Sequence, residues 1–482
     1  MMCDFIMEIY KKLIHKSLVT KFRNQVLALI FSSSFIVGTI FVGSYFVKER
    51  NSIPSGDICV HIDMKKHLLI SICDDMQVTD INEQNFCNFL SELVCIAKNS
   101  SIKAIVVNIQ EGLNISMSRI IDLCKVLEYI KNSNKIVYIY MDSIDHIGML
   151  LLANACNKIY MNIAGNVYIS APDYFSNSFE NFITKIADEL LDSTVCEEGP
   201  PHDDTAKYVK KAEIISQIQN KALYKCINLM EKYIETRKID KNRFKYEMSA
   251  NEAKNIHLVD ELIYDIDEIF NDISIDSKPI TIISFQQFSN FLRINAKKMF
   301  KIVAIDDKNH ETSLKTIKKM VKKHESKNSK KTNYIIRIST ASTNPTISRK
   351  IVYFISKLPK PQTFISLSDI CSIIEFNIAS HCKQIEINDF SLIYLSPNGL
   401  SNDLYKTFVK EIAYNLGKTP EVVKKSLLYP RLGYEYSNFI QNQQSSILDV
   451  MQVEFLNVSS FHIFKKYLKS IFKFITKINE TE

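Results

Sequence analysis

The sequence predicts an α/β protein: an N-terminal transmembrane helix followed by two similar halves, each built of βαβ units. Three observations carry that expectation. An uncharged apolar run lies near the N-terminus, short β-branched runs alternate with segments of helical period, and the same order of runs returns in the second half of the chain. At 482 residues and 46% hydrophobic, the chain can bury a core large enough for two domains.

The apolar run is Gln25 to Val47, QVLALIFSSSFIVGTIFVGSYFV. It carries no charge and is long enough to span a bilayer as a helix. Lys11, Lys12, Lys16, Lys21 and Arg23 precede it, and only Lys48 and Arg50 follow closely. That excess of positive charge places the N-terminus in the cytoplasm and the body of the chain across the membrane. The end of the run, SYFVKER, lacks the small-x-small pattern of a cleaved signal peptide.

Ile58 to Ile62, Ala104 to Ile109 and Ile136 to Tyr140 are β-branched runs bounded by polar residues. They read as buried strands of a largely parallel sheet. Between them, SMSRIIDLCKVLEYIKNS has helical spacing with Ser116 as its cap, and GMLLLANACN is a second helix before the strand KIYMN. In the second half, Tyr334 to Ile338 is a strand, PTISRKIVYFISKL a helix, PQTFISL a strand, FNIASHCK a short helix and QIEIND a strand. This is an internal repeat of one βαβαβ unit. The polar stretch from Asp276 to Lys298 reads as irregular and separates the copies, and Leu314 to Asn333, with its lysine pairs, reads as an exposed helix and loop.

Composition limits the chemistry. Only 10 glycines occur, and none between Gly199 and Gly399, so a site that needs close backbone approach is hard to build there. The 11 cysteines include no CxxC pair, and no zinc site or disulfide framework is expected. The net charge of +7 comes with no basic motif interleaved with aromatics, so no nucleic-acid partner is expected. Neither is a cofactor or a metal. Cys196 with His202, Asp203 and Asp204 could suggest a hydrolytic or metal-binding loop, but Pro200-Pro201 reads it as a polar surface turn. His146 beside Asp145 reads as a helix cap.

Several stretches resemble the long, two-domain form of the signal peptide peptidase A (protease IV) family. SIKAIVVNIQ, NKIVYIYMDSIDHIGMLLLANACNKIYMNIAG and MSANEAKNIHLVDEL follow its first domain, and YKTFVKEIAYNLGKTPEVVKKSLL follows a helix-turn-helix of its second. The resemblance implies two tandem crotonase-like (ClpP/crotonase-type) domains. The boundaries it suggests are a cytoplasmic basic N-terminus at 1–24, the membrane helix at 25–47, a first domain at 48–275 and a linker at 276–297. A second, shortened domain follows at 298–458, with a basic amphipathic tail at 459–482.

The family resemblance further implies a serine peptidase that degrades cleaved signal peptides in the inner membrane, its bulk periplasmic, assembled as a homo-oligomer. Its nucleophile is a serine and its general base a lysine, which must be neutral and therefore desolvated. The serine position falls on Ile373, with Ser372 one residue early, and the two glycines that follow the family's serine become Ile374 and Glu375. On a helix, that offset turns Ser372 by about 100°. The oxyanion loop falls on Ser339 to Thr343 without its glycines, and a later glycine loop falls near Ile393 to Pro397, also without glycine. The lysine position falls on Gly199, with Lys207, Lys210 and Lys211 nearby. Nucleophile, base and oxyanion hole are thus displaced together. Ser372 and Lys207 are the candidate catalytic residues; the expectation is a family member with lost or impaired catalysis, and a non-catalytic subunit of a membrane-bound oligomer is the alternative.

Overall fold

The computed structural model describes residues 56–68, 82–109, 115–170, 177–198, 204–275, 278–306, 310–326, 332–395, 397, 400–427, 430–436 and 447–455. The expected membrane helix at 25–47, the basic N-terminus and the tail at 459–482 lie outside these residues. Among the described residues no helix is long and apolar enough to cross a membrane. Residues Ser55–Glu482 form one compact unit.

In the first half, the strands are β1 (Ile58–Asp63), β2 (Ile102–Ile109), β3 (Ile136–Met141), β4 (Ile144–His146), β5 (Lys158–Asn162), β6 (Asn166–Ser170), β7 (Glu247–Ser249), β8 (Glu261–Ile263) and β9 (Thr281–Ser284). The main sheet has the order β9-β1-β2-β3-β5-β8 with every pair parallel, and β4, β6 and β7 form a small side sheet. The near-continuous apolar runs of these strands follow from burial on both faces. Helices α1 (Glu83–Lys98), α2 (Met117–Asn132) and α3 (Ile147–Asn154) belong to this half, as do the long pair α4 (Asn177–Glu198) and α5 (Asp204–Thr236).

The second sheet contains β10 (Phe300–Asp306), β11 (Asn333–Thr340), β12 (Thr363–Ser372), β13 (Gln384–Ile387), β14 (Leu392–Tyr394) and β15 (Arg431–Leu432). Its order is β10-β11-β12-β14-β15, β13 also pairs with β12, and only β15 runs antiparallel. Its helices are α6 (His310–Ser326), α7 (Pro345–Ile355), α8 (Ile373–Ser380), α9 (Asn402–Leu416) and α10 (Pro420–Leu427). The two halves share an order of elements: β3, β4, α3, β5 and β6 in the first, β12, α8, β13 and β14 in the second, with an eight-residue buried helix in each.

Strand alternation gives the second sheet two different neighbours. Val303, Ile305, Ile336 and Ile338 point into a core shared with α6, α7 and α8. Ile302, Ile335 and Arg337 point the other way, toward Cys87, Leu90 and Asp122 of the first half. Helix α1 is therefore apolar around most of its circumference, since it packs between the halves. Its Gln84 side chain accepts the Ala304 N–H at 2.9 Å and so blunts the open edge of β10.

A buried charge network fixes this junction. The Arg337 guanidinium donates to Glu83, to Asp122 at 2.6 Å and to Ser368 at 2.6 Å. Arg119 donates twice to the same Glu83 carboxylate, at 2.8 and 3.2 Å. Asn388 closes the ring, donating to Asp122 at 2.8 Å and to the Ser118 carbonyl at 2.7 Å. Arg119 and Arg337 also lie 5.5 and 5.4 Å from the Phe86 ring centroid, so their charge is shared with a π face.

Some sequence expectations change. Helix α1 and strand β10 were not foreseen, and the stretch read as irregular holds β9 and a helix at Phe285–Asn295 closed by a capping box from Ser284. The short helix expected from FNIASHCK begins earlier, at Ile373. Ser116 and His146 do stand at N-cap positions, but neither side chain bonds the helix backbone; the Ser116 hydroxyl crosses to Asp369 instead, at 2.9 Å.

Burial alone would raise the Glu83 carboxyl, but the Arg337 and Arg119 charges outweigh it and lower it from 4.5 to about 2. A carboxyl depressed on folding contributes stability that is fully present above its unfolded value and lost as pH falls through the folded one. Replacing Glu83 by Gln leaves two buried arginines short of charge, a loss of about 3–5 kcal/mol. In chemical denaturation across pH, the gap between wild type and Glu83→Gln is therefore greatest above about 4.5 and shrinks toward about 2. A gap independent of pH contradicts the assignment.

Candidate active site

The candidate site lies where β11 and β12 end, at the carboxyl edge of the second parallel sheet, where open α/β sheets hold their ligands. Strand β12 does not run straight to it. Residues 364–367 pair with β13 and residues 370–372 pair with β14, and between them Asp369 adopts a left-handed backbone with φ of 54°. Aspartate tolerates that region better than the β-branched residues around it. Its carboxylate is held by the hydroxyls of Ser116, Ser118 and Ser339, the first and last at 2.9 Å. Two of these serines come from the first half, so the junction network reaches the rim of the site.

Ser372 is the last residue of β12 and the N-cap of α8, which corrects the expectation that it sits on a helix and points away. It is 3% exposed. Its hydroxyl donates to the Glu375 carboxylate and accepts the Ile374 N–H at 3.2 Å. Ile373, the position matched to the family's serine, is the first helical residue and is buried.

Glu375 is wholly buried. One carboxylate oxygen accepts the Ser372 N–H at 3.0 Å together with the Ser372 hydroxyl, and the other accepts the Thr343 N–H at 2.9 Å. Thr343 ends the segment read as the oxyanion loop. Its N–H, the donor that a developing oxyanion would need, is directed at a carboxylate of the same chain. In the rest of that loop, the Ser342 N–H donates to the Thr340 hydroxyl at 3.1 Å.

Among the described residues, no base from the expected segment stands at Ser372. Gly199 lies outside the described residues. Lys207 falls within α5, but its side chain lies outside the described residues, as do the side chains of Cys196, His202, Asp203 and Asp204. Lys210 is exposed and Lys211 pairs with Asp188 at 2.6 Å. A thiol does not replace the serine either: burial pushes the neighbouring Cys371 well above its ordinary value, away from the reactive thiolate. All eight described cysteines are buried and unpaired. Among the described residues no group of three or more His, Cys, Asp or Glu is placed to hold a metal ion.

What the geometry can do is hold itself shut. Ser372 and Glu375 form a closed capping box, to which the Thr343 N–H is added, while the Thr343 hydroxyl is buried without a hydrogen-bond partner. Sequence reasoning located Glu375 as the residue in place of a glycine but gave it no partner. It missed Arg337, whose one signal is a lone arginine inside the apolar run YIIRI, and it missed Asp369.

Comparison with known proteins adds little at this point. No family model matches the sequence, and no curated protein matches it. Solved structures similar to it include ClpP1 from Listeria monocytogenes, at 10% identity and TM-score 0.21, covering 47% of this chain and 99% of that one. A peptidase from Plasmodium falciparum is 16% identical with TM-score 0.21, covering 46% of this chain and 100% of that one. A probable enoyl-CoA hydratase/isomerase from Mycobacterium abscessus is 13% identical with TM-score 0.19, covering 39% and 63%. The likeness is one of fold only. Scores this low carry no argument about activity, and the α/β description rests on the strand order itself.

As a helix cap to a buried carboxylate, Ser372 is structural. Ser372→Ala lowers stability by about 1–3 kcal/mol in chemical denaturation, the loss of a cap plus a buried acceptor left short of one donor. Unchanged stability contradicts the capping role.

Proposed function

We propose that this chain is a membrane-tethered member of the signal peptide peptidase A type that no longer cuts peptides and serves as a structural subunit of a membrane-bound homo-oligomer. The observation that carries the loss of cutting is the Glu375 carboxylate, which takes the Ser372 hydroxyl and the N–H groups of Ser372 and Thr343. A peptide carbonyl needs those donors free and the serine accessible, and here both are spent inside the protein. The family reading rests on the sequence resemblance. Tethering to the inner membrane, with the bulk periplasmic, rests on the uncharged run Gln25 to Val47 and on the lysines before it. The oligomer follows from the resemblance alone.

A second reading is favoured by one feature. Ser372 stands at a strand-to-helix junction on the carboxyl edge of a parallel sheet, a fitting place for a nucleophile. In that reading the chain degrades signal peptides, with Ser372 as nucleophile and Lys207 as base after the capping box opens.

Labelling with a fluorophosphonate separates the two. The detergent-solubilised full chain is expected to take up no label at Ser372, while a labelled serine protease run alongside reports that the reagent is active. Labelling of wild type that disappears in Ser372→Ala contradicts the structural-subunit reading and restores a peptidase.

A further inference from the structure

Outside the site, charge is distributed unevenly. Helices α6, α7, α9 and α10 carry eleven Lys and Arg against five Asp and Glu, a net +6, in a chain whose total is +7. These helices form one layer, in which α6 packs on α7, α7 on the buried α8, α8 on α9 and α9 on α10. The layer covers the face of the second sheet opposite to α1 and α2.

The cations point outward. Lys315, Lys318, Lys319, Lys322 and Lys323 of α6 are all exposed, and so are Arg349 and Lys350 of α7. Burial and the nearby Lys323 ammonium hold Lys301 of β10 below its ordinary value. Aromatic rings lie among the basic groups. Tyr353 is 55% and Tyr414 is 87% exposed, Lys357 lies 4.4 Å from the Tyr353 ring centroid, and Lys318 lies 5.9 Å from that of Phe354.

From this layer we infer a docking surface for anionic phospholipid, formed by the outer faces of α6, α7, α9 and α10. Clustered positive charge is drawn to an anionic leaflet. Tyrosines at the level of the cations suit the headgroup region, where an amphipathic ring keeps one end wet. The cations number ten lysines and one arginine. That balance fits diffuse attraction to headgroups better than nucleic-acid readout, which favours the bidentate fork of arginine. The choice of lipid rests on the membrane tether proposed above, which puts a bilayer within reach of this face.

Lysine footprinting tests it. The full chain is reconstituted in vesicles of phosphatidylcholine alone or with equimolar phosphatidylglycerol, pulsed with an acylating reagent and read by mass spectrometry. Acylation of Lys315, Lys318 and Lys350 is expected to slow several-fold in the anionic vesicles and to recover in high salt. Lys232 and Lys238, exposed on the first half, serve as controls and are expected not to change. In the variant Lys315→Gln/Lys318→Gln/Lys319→Gln/Lys322→Gln, protection of Lys350 is expected to be lost while the circular dichroism spectrum stays that of wild type. Equal rates in the two vesicles overturn the inference, as does protection by single-stranded DNA without protection by anionic lipid. Extraction with alkaline carbonate reports separately whether the chain is inserted, so failure of the tether and failure of the docking surface give different results.

Discussion

Arg337 is the interaction on which the rest of the structure depends. It sits at 4% exposure inside the apolar run YIIRI of β11. A guanidinium there is tolerable only because Glu83 and Asp122 meet it from the other half of the chain and Ser368 takes its remaining fork. The halves therefore share a buried ionic joint as well as apolar contacts. The Glu83 carboxylate, held low by the two arginines, is the hinge pin of that joint.

From Arg337 the constraint runs outward to the site. Strand β11 is fixed by its arginine, so the loop that follows it, Ser339 to Thr343, leaves the sheet in one direction. Asp369 on the next strand is fixed by hydroxyls from both halves, and its left-handed backbone sets where β12 resumes and ends at Ser372. Thr343 and Ser372 are thus brought to one place, as a working acyl-transfer site requires. The carboxylate of Glu375 then occupies the space between them. Its oxygens accept the Thr343 N–H and the N–H and hydroxyl of Ser372.

The sequence made some of this legible for plain reasons. Strands β1, β2, β3 and β11 announce themselves because strands buried on both faces become uninterrupted β-branched runs. Helix α2 was readable from its spacing. Helix α1 was not read, although Asn85, Asn88 and Glu92 give it a polar face. The stretch holding β9 was passed over because a four-residue edge strand, TIIS, carries too little pattern. At the site, sequence placed Ser372 and Glu375 within a residue of the relevant turn and showed that glycines were missing. It did not show where the Glu375 carboxylate points, since that depends on Thr343, thirty-two residues away in sequence. The network around Arg337 joins positions more than two hundred residues apart, and no local pattern encodes such a pairing.

In the function proposed for this chain, a peptidase-type site is closed from within by the Glu375 carboxylate. The most direct measurement is hydrolysis of a short apolar peptide by the full chain in detergent micelles, compared between wild type and Ser372→Ala. The account predicts no turnover above background by either protein while both remain folded. Turnover by wild type that the substitution abolishes would contradict it.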